Sequence, residues 1–312
     1  GRGDSDTALL ADPKMGKVRY ELANMFPTVN KMSHGRVSTY CPIFISQNVH
    51  KELSLALVTN LVISQALDHI RKIDYAAFYR EALQTDFPGN AKFYAHTQYL
   101  PDIILMPNIG SRGVMWQDVE GRDRTTPPRM MLSLFHVEEL YTTLVRLTAE
   151  YRWDICKRIQ GARWNDVGER SLTSEYCDYL QFYRKNHDLS QDAKEKIRAG
   201  LAQARNSFKE MFVRDYLSWV LFESGGIPRL NKVARTILFT HCPFSEDVCQ
   251  TLIKSPIFTD LILRRATISK QNIHQLDFLE SKITNDGNLR AEQKDYARQL
   301  IALEKKFIDG AP

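Results

Sequence analysis

The residues best suited to chemistry lie between Asp102 and Gly113, where the apolar run Ile103-Ile104-Leu105-Met106 breaks into Pro107-Asn108-Ile109-Gly110-Ser111-Arg112-Gly113. Glycines let backbone N–H groups approach an anion closely, and an arginine adds a planar fork that matches phosphate or carboxylate. Asn108, Gly110, Ser111, Arg112 and Gly113 are therefore candidate ligand-binding residues. A phosphate-binding P-loop would continue into a helix N-terminus, whereas Val114-Met115-Trp116 has the pattern of another strand. A hairpin loop that needs glycine at Gly110 and Gly113 explains the same residues without a ligand.

A second candidate is the block from Tyr151 to Arg184, which sets Trp153, Trp164, Tyr176 and Tyr179 among Arg152, Arg158 and Arg163. Rings beside guanidinium groups suit stacking, cation–π contact or recognition of a nucleobase or phosphate. A corner between two packed helices looks similar: Arg152 and Arg158 would pair with Glu175 or Asp178, and Trp153 and Trp164 would fill the core.

Metal ligation has only fragments. His136-Val137-Glu138-Glu139 and His50-Lys51-Glu52 lack the second histidine of a zinc helix. His241, Cys242 and Cys249 have no zinc-finger spacing. No nucleophile elbow and no activated cysteine is evident, so no catalytic residue is named and no cofactor or metal is expected. Arg264-Arg265-Ala266-Thr267 reads as a basophilic kinase target or as a cationic helix C-terminus placed against its dipole.

The elements that must position these residues are mostly helical. Asp12-Pro13 caps a short helix that reaches Phe26, Val49–Ile73 carries leucines at helical intervals, and Asp74 starts a helix through Leu83 that Pro88-Gly89 ends. Ile103–Met106, Val114–Val119 and Met130–Phe135 predict a small antiparallel sheet, the spacing being too short for helical crossovers. From His136 the chain reads as helix: 136–160, 173–185, 191–223, 228–240, 246–254, 272–283 and 291–308. Ser190 and Ser245 serve as caps, Gly225-Gly226 as a stop, Pro228 as a restart and Asp286-Gly287 as a turn. The predicted fold class is mainly α, a multi-helix domain with a small antiparallel β-sheet insertion. Its divisions are a tail over 1–12, an N-terminal helical region over 13–135 with the sheet at about 102–135, and a C-terminal helical region over 136–312.

Composition narrows the partners. The chain has 312 residues, 43% hydrophobic and 25% charged, which is ordinary for a globular protein. Its +5 net charge comes from 42 basic and 37 acidic residues interspersed along the chain, so nucleic acid is not expected as a partner. Five cysteines without a C-x-x-C pair fit free thiols in a reducing cytoplasm. The longest apolar stretch, Leu53–Leu67, is interrupted by polar residues and is too short to span a membrane.

The strings Pro101-Asp102-Ile103-Ile104-Leu105-Met106-Pro107-Asn108, Arg152-Trp153, Ile159-Gln160-Gly161, Arg163-Trp164-Asn165-Asp166 and Ser171 to Tyr179 are distinctive. Over residues 15 to 250 the chain resembles uncharacterised bacterial proteins named for a cyclic nucleotide-binding domain, in the region outside that sensor domain. The resemblance brings no activity and no assigned residues. It implies that this chain is the effector or scaffold part of a longer bacterial protein. The sequence thus points to a non-enzymatic cytoplasmic interaction or scaffold module, with other protein domains as partners. The alternative is an enzyme or sensor for a phosphorylated small molecule or nucleotide, bound by the Gly110–Gly113 loop and clamped by Arg152, Arg158 or Arg163.

Overall fold

A computed structural model of the protein describes residues 56–84, 86–88, 93–110, 112–116, 128–136 and 138–310. The expected short helix before Phe26, residues 49–55 of the Val49–Ile73 helix, Ser111 and Cys41 lie outside these residues, and that helix starts only at Asn60, because Leu57 and Val58 bond instead to the strand at Leu134 and Phe135. The chain divides into two compact units, one formed by residues up to 63 together with 102–143, the other by 64–101 together with the chain from 144. The fold is mainly α, with two small sheets among the described residues.

The first unit holds a three-stranded sheet of β3 (Asp102–Gly110), β4 (Val114–Trp116) and β5 (Arg129–His136), in the order β3-β5-β4. The expected antiparallel pairing holds only for β4 with β5, because β3 runs parallel to β5. A parallel pair needs a dozen or more residues of connection, and residues 111–128, β4 among them, supply that length. The β3–β5 register shifts between Met106 and Ile109. Pro107, which has no N–H to give a ladder, sits at that shift. Met131 packs there against Ile104, Met106 and Val114.

In the second unit Tyr79–Gln84 is strand β1, paired antiparallel with β2 (Phe93–Gln98), where a helix was expected. Arg80, Glu81, Ala82 and Leu83 favour helix locally, but ladder pairing with β2 and an apolar cluster beneath it prevail. In that cluster Phe87, Phe93 and Ala95 meet Ile283, Ala297, Leu300 and Ile301. Asp74 caps no helix; it is buried at the end of α1 (Asn60–Ile73), where its carboxylate accepts from Tyr216 Oη at 2.7 Å.

The remaining helices are α2 (Leu140–Gln160), α3 (Leu172–Phe182), α4 (Gln191–Gln203), α5 (Phe208–Leu221), α6 (Lys232–His241), α7 (Glu246–Leu252), α8 (Pro256–Asn285) and α9 (Ala291–Ile308). The expected single helix over 191–223 is two, because Arg205 and Asn206 take left-handed φ values of 50° and 59°. Ser207 then caps α5 by accepting from Glu210 N–H at 3.2 Å. Ser190 caps α4 and Gly226, at φ 78°, closes the turn after α5, as read from sequence. Ser245 instead donates its hydroxyl to the Lys72 carbonyl, and the restart after Gly226 is Asn231 rather than Pro228. Pro256 at the first position of α8 begins that helix sixteen residues before the periodicity suggested. Arg264 and Arg265 consequently lie inside α8, not at a helix C-terminus.

Aromatic residues fill the core of the second unit. Trp153 lies edge-on to Tyr176 at 6.1 Å and beside Phe212 at 5.4 Å, while Trp219 stacks on Phe244 at 3.9 Å. Cys156, Cys177, Cys242 and Cys249 are free thiols. Beneath the aromatics, Tyr176 Oη donates to Asp215 at 2.5 Å. Burial pushes the Asp215 carboxyl up to about 6, opposed by the Tyr176 hydrogen bond and by Arg214. The folded protein then holds this proton more tightly than the unfolded chain. The resulting stability is fully present below the ordinary carboxylate range and is lost as pH rises through about 6. Melting temperatures of the wild type and Asp215→Asn, measured across that window, are expected to diverge, the wild type losing stability with rising pH and the variant staying flat there.

Candidate functional site

A cavity of about 680 Å³ opens within the second unit. One wall is a single face of α8, where Leu261, Arg264, Arg265, Ile268 and Asn272 recur at intervals of three and four residues. A stripe of α2 with Tyr151, Arg152, Ile155 and Cys156 forms another. Arg80 and His96 from the β1–β2 ladder, Glu304 and Phe307 from α9, and Glu169, Arg170, Ser171 and Glu175 at the start of α3 complete the lining with the end of α6.

Local geometry explains each position. Ser171 caps α3 in a reciprocal box with Ser174, and the residue before it, Arg170, turns the chain in a left-handed conformation at φ 48°. That conformation is uncommon outside glycine and asparagine, and it leaves the Arg170 side chain exposed at the cavity. Glu304 is buried and spends both oxygens on one residue, accepting from His96 Nδ1 at 2.8 Å and from His96 N–H at 2.7 Å. Phe307 lies nearly parallel to the imidazole, 3.9 Å between centroids and 11° between planes.

Most charges here already have a partner. Glu175 pairs with His241 Nε2 at 2.9 Å and Glu169 with Arg163 at 2.7 Å. Arg265 donates to Tyr75 Oη at 2.9 Å and to the Phe244 carbonyl at 2.6 Å. The Arg80 guanidinium lies 4.3 Å from the centre of the Tyr99 ring. Arg152 is buried, 3.5 Å from Asp74, and donates to the carbonyls of Ala76 and His241 and to Cys242 Sγ. Burial pushes the Asp74 carboxyl above its usual range, against the pull of Arg152 and the Tyr216 hydroxyl, and pushes the Cys242 thiol up to about 12. Arg170 and Arg264 are exposed on this lining, and neither meets a carboxylate among the described residues.

The residues nominated from sequence fall into two groups. Asn108 and Gly110 belong to β3, Gly110 being paired with His136, while Arg112 is exposed and Gly113 buried in the connection to β4. That connection is not a hairpin, because β3 and β4 flank β5 on opposite sides, and it leads directly into a strand rather than a helix N-terminus. Of the three arginines, Arg152 lines the cavity but its donors are spent on the fold. Arg158 is half-buried on α2, and Arg163 pairs with Asp166 and Glu169. The expected pairing of Arg152 with Glu175 or Asp178 does not form; Asp74 takes that role and Glu175 goes to His241. Trp153 is core as expected, whereas Trp164 is half-buried with the Lys157 ammonium 4.4 Å from its ring centre.

Residues 161–298 match the model of a family described as a domain of unknown function (DUF8509). The match takes in Arg170, Glu175, His241 and Arg264 but not Arg80, His96, Arg152 or Glu304. No curated protein and no solved structure matches the chain.

Arg152 should therefore behave as a structural residue. Arg152→Ala leaves Asp74 buried without its cation and is expected to cost about 3–5 kcal/mol. Chemical denaturation of the variant measures this directly, and a loss below about 1 kcal/mol would mark the pair as dispensable.

Proposed function

We propose that the second unit is a receptor module for a small phosphorylated molecule, bound in the cavity between α2, α3, α8 and α9. The observation that carries this reading is the pair Arg170 and Arg264, two exposed guanidinium groups without a protein acid on a lining where Glu169, Glu175 and Glu304 are each held by a basic partner and Glu81 alone of the glutamates is not. A guanidinium fork matches phosphate oxygens two at a time, and a volume of about 680 Å³ is the size that encloses a small molecule. The free thiols fit a reducing cytoplasm, where we place the protein. Among the described residues no helix is long and apolar enough to cross a membrane.

A second reading, the protein-interaction or scaffold module, is favoured by a different observation. Phe278 on α8 is 72% exposed and Leu303 on α9 is 59% exposed, large apolar side chains of the kind that partner proteins cover. Both readings accommodate a longer bacterial polypeptide in which this chain works beside a separate sensor.

Thermal unfolding with and without pyrophosphate tests the receptor reading. Saturation a hundredfold above Kd should raise wild-type stability by about 2.7 kcal/mol. Arg170→Ala and Arg264→Ala should each weaken binding by about 1.5–3 kcal/mol, with little effect on stability in the absence of anion. An equal rise in the double variant would refute it, as would a wild type indifferent both to pyrophosphate and to phosphate esters.

A further inference from the structure

We infer that the phosphate bound in this cavity is carried on a planar aromatic ring, which stacks on the His96 imidazole. The inference rests on the receptor reading and names its ligand class. Among the described residues three aromatic pairs stack nearly parallel: Phe87 with Phe93, Trp219 with Phe244, and His96 with Phe307. The first two pairs are buried and serve the core. The third is different, since the His96 side chain is 30% exposed and lines the cavity while the carboxylate that holds it is buried.

Burying a carboxylate is costly unless it is hydrogen-bonded, and Glu304 uses both oxygens to fix this one imidazole through its ring and its backbone. Phe307 closes one face of the ring, and is itself braced by Tyr75 at 5.4 Å and Tyr79 at 5.0 Å. What remains is a firmly held aromatic ring, one face against Phe307, that is partly exposed and belongs to the cavity lining. Such a platform accepts any flat π-system, because stacking asks for a face and not for a particular hydrogen-bond pattern.

Cationic groups belong to the same lining. Arg265, its guanidinium 5.0 Å from the Tyr75 ring centre, connects the aromatic group to α8, and Arg264 is its neighbour on the same lining face. An aromatic phosphate, such as a nucleoside monophosphate, would use both halves of the cavity, its ring on His96 and its phosphate on Arg264 and Arg170. A bare phosphate or a sugar phosphate would use only the arginines.

Isothermal titration with adenosine 5′-monophosphate, ribose 5-phosphate and pyrophosphate separates the possibilities. The wild type should bind the nucleotide about tenfold more tightly than the sugar phosphate, the typical worth of one stacked base. His96→Ala should bring the nucleotide down to the sugar phosphate's affinity and leave the sugar phosphate unchanged. His96→Gln, whose amide can still donate to Glu304 but offers no ring, should do the same in a protein that keeps its stability. Equal wild-type affinity for nucleotide and sugar phosphate would overturn the aromatic class, and a nucleotide preference that survives both variants would overturn His96 as its platform. If none of the three probes binds, the receptor reading itself falls.

Discussion

The second unit depends on one buried ion pair. Asp74 and Arg152 meet at 3.5 Å in the buried interior, and the charges are tolerated there because Tyr216 and the groups around the guanidinium supply further hydrogen bonds. Tyr216 on α5 donates to the aspartate, while the arginine reaches the turn at Ala76 and the end of α6 through His241 and Cys242. Four segments distant in sequence are thereby held to one point. Trp219 reinforces it by donating its indole N–H to the Cys242 carbonyl at 2.9 Å. A charged hub of this kind contributes less net stability than an apolar one of equal size, but it tolerates few alternative arrangements, because any other packing strands a charge.

The hub also explains why the cavity has the character it does. With Arg152 fixed by the fold at its base, the cations left for a ligand are those at the lining's exposed positions on α8 and before α3. Each glutamate of the lining that has a basic partner takes it from a different segment: Glu304 from β2, Glu175 from α6 and Glu169 from the turn at Arg163. The same contacts that tie the elements together remove competing negative charge from the lining, so cohesion of the unit and its electrostatic lean have one origin.

The helical character of the chain, Ser190, Gly226 and the span of α9 were legible because periodicity and capping are local signals. β1 was not, since Arg80, Glu81, Ala82 and Leu83 carry helical preference and only pairing with β2 decides against it. The break between α4 and α5 was marked by Asn206-Ser207, but an unbroken apolar periodicity masked that signal. At the site, Arg264 and Arg265 were visible as a motif and misplaced to a helix end, because the start of α8 at Pro256 was not recognised. Arg152 stood out for the right reason, an arginine among aromatic residues, with the wrong partner. His96 and Glu304 left no trace, because nothing local connects two residues 208 positions apart.

That separation governs when the site can exist. β1 and β2 are among the first parts of the second unit to leave the ribosome, yet the imidazole of β2 has no fixed orientation until Glu304 and Phe307 of α9 have followed. Closing so long a loop adds only logarithmically to the entropy cost, but it cannot begin before the residue that closes it is made. The α-helices of the middle can fold as they emerge, from local contacts alone, and wait. The hairpin of β1 and β2 then keeps Phe93 and Ala95 without their packing partners until α8 and α9 are made, and it is α9 that both finishes sealing this apolar face and completes the cavity.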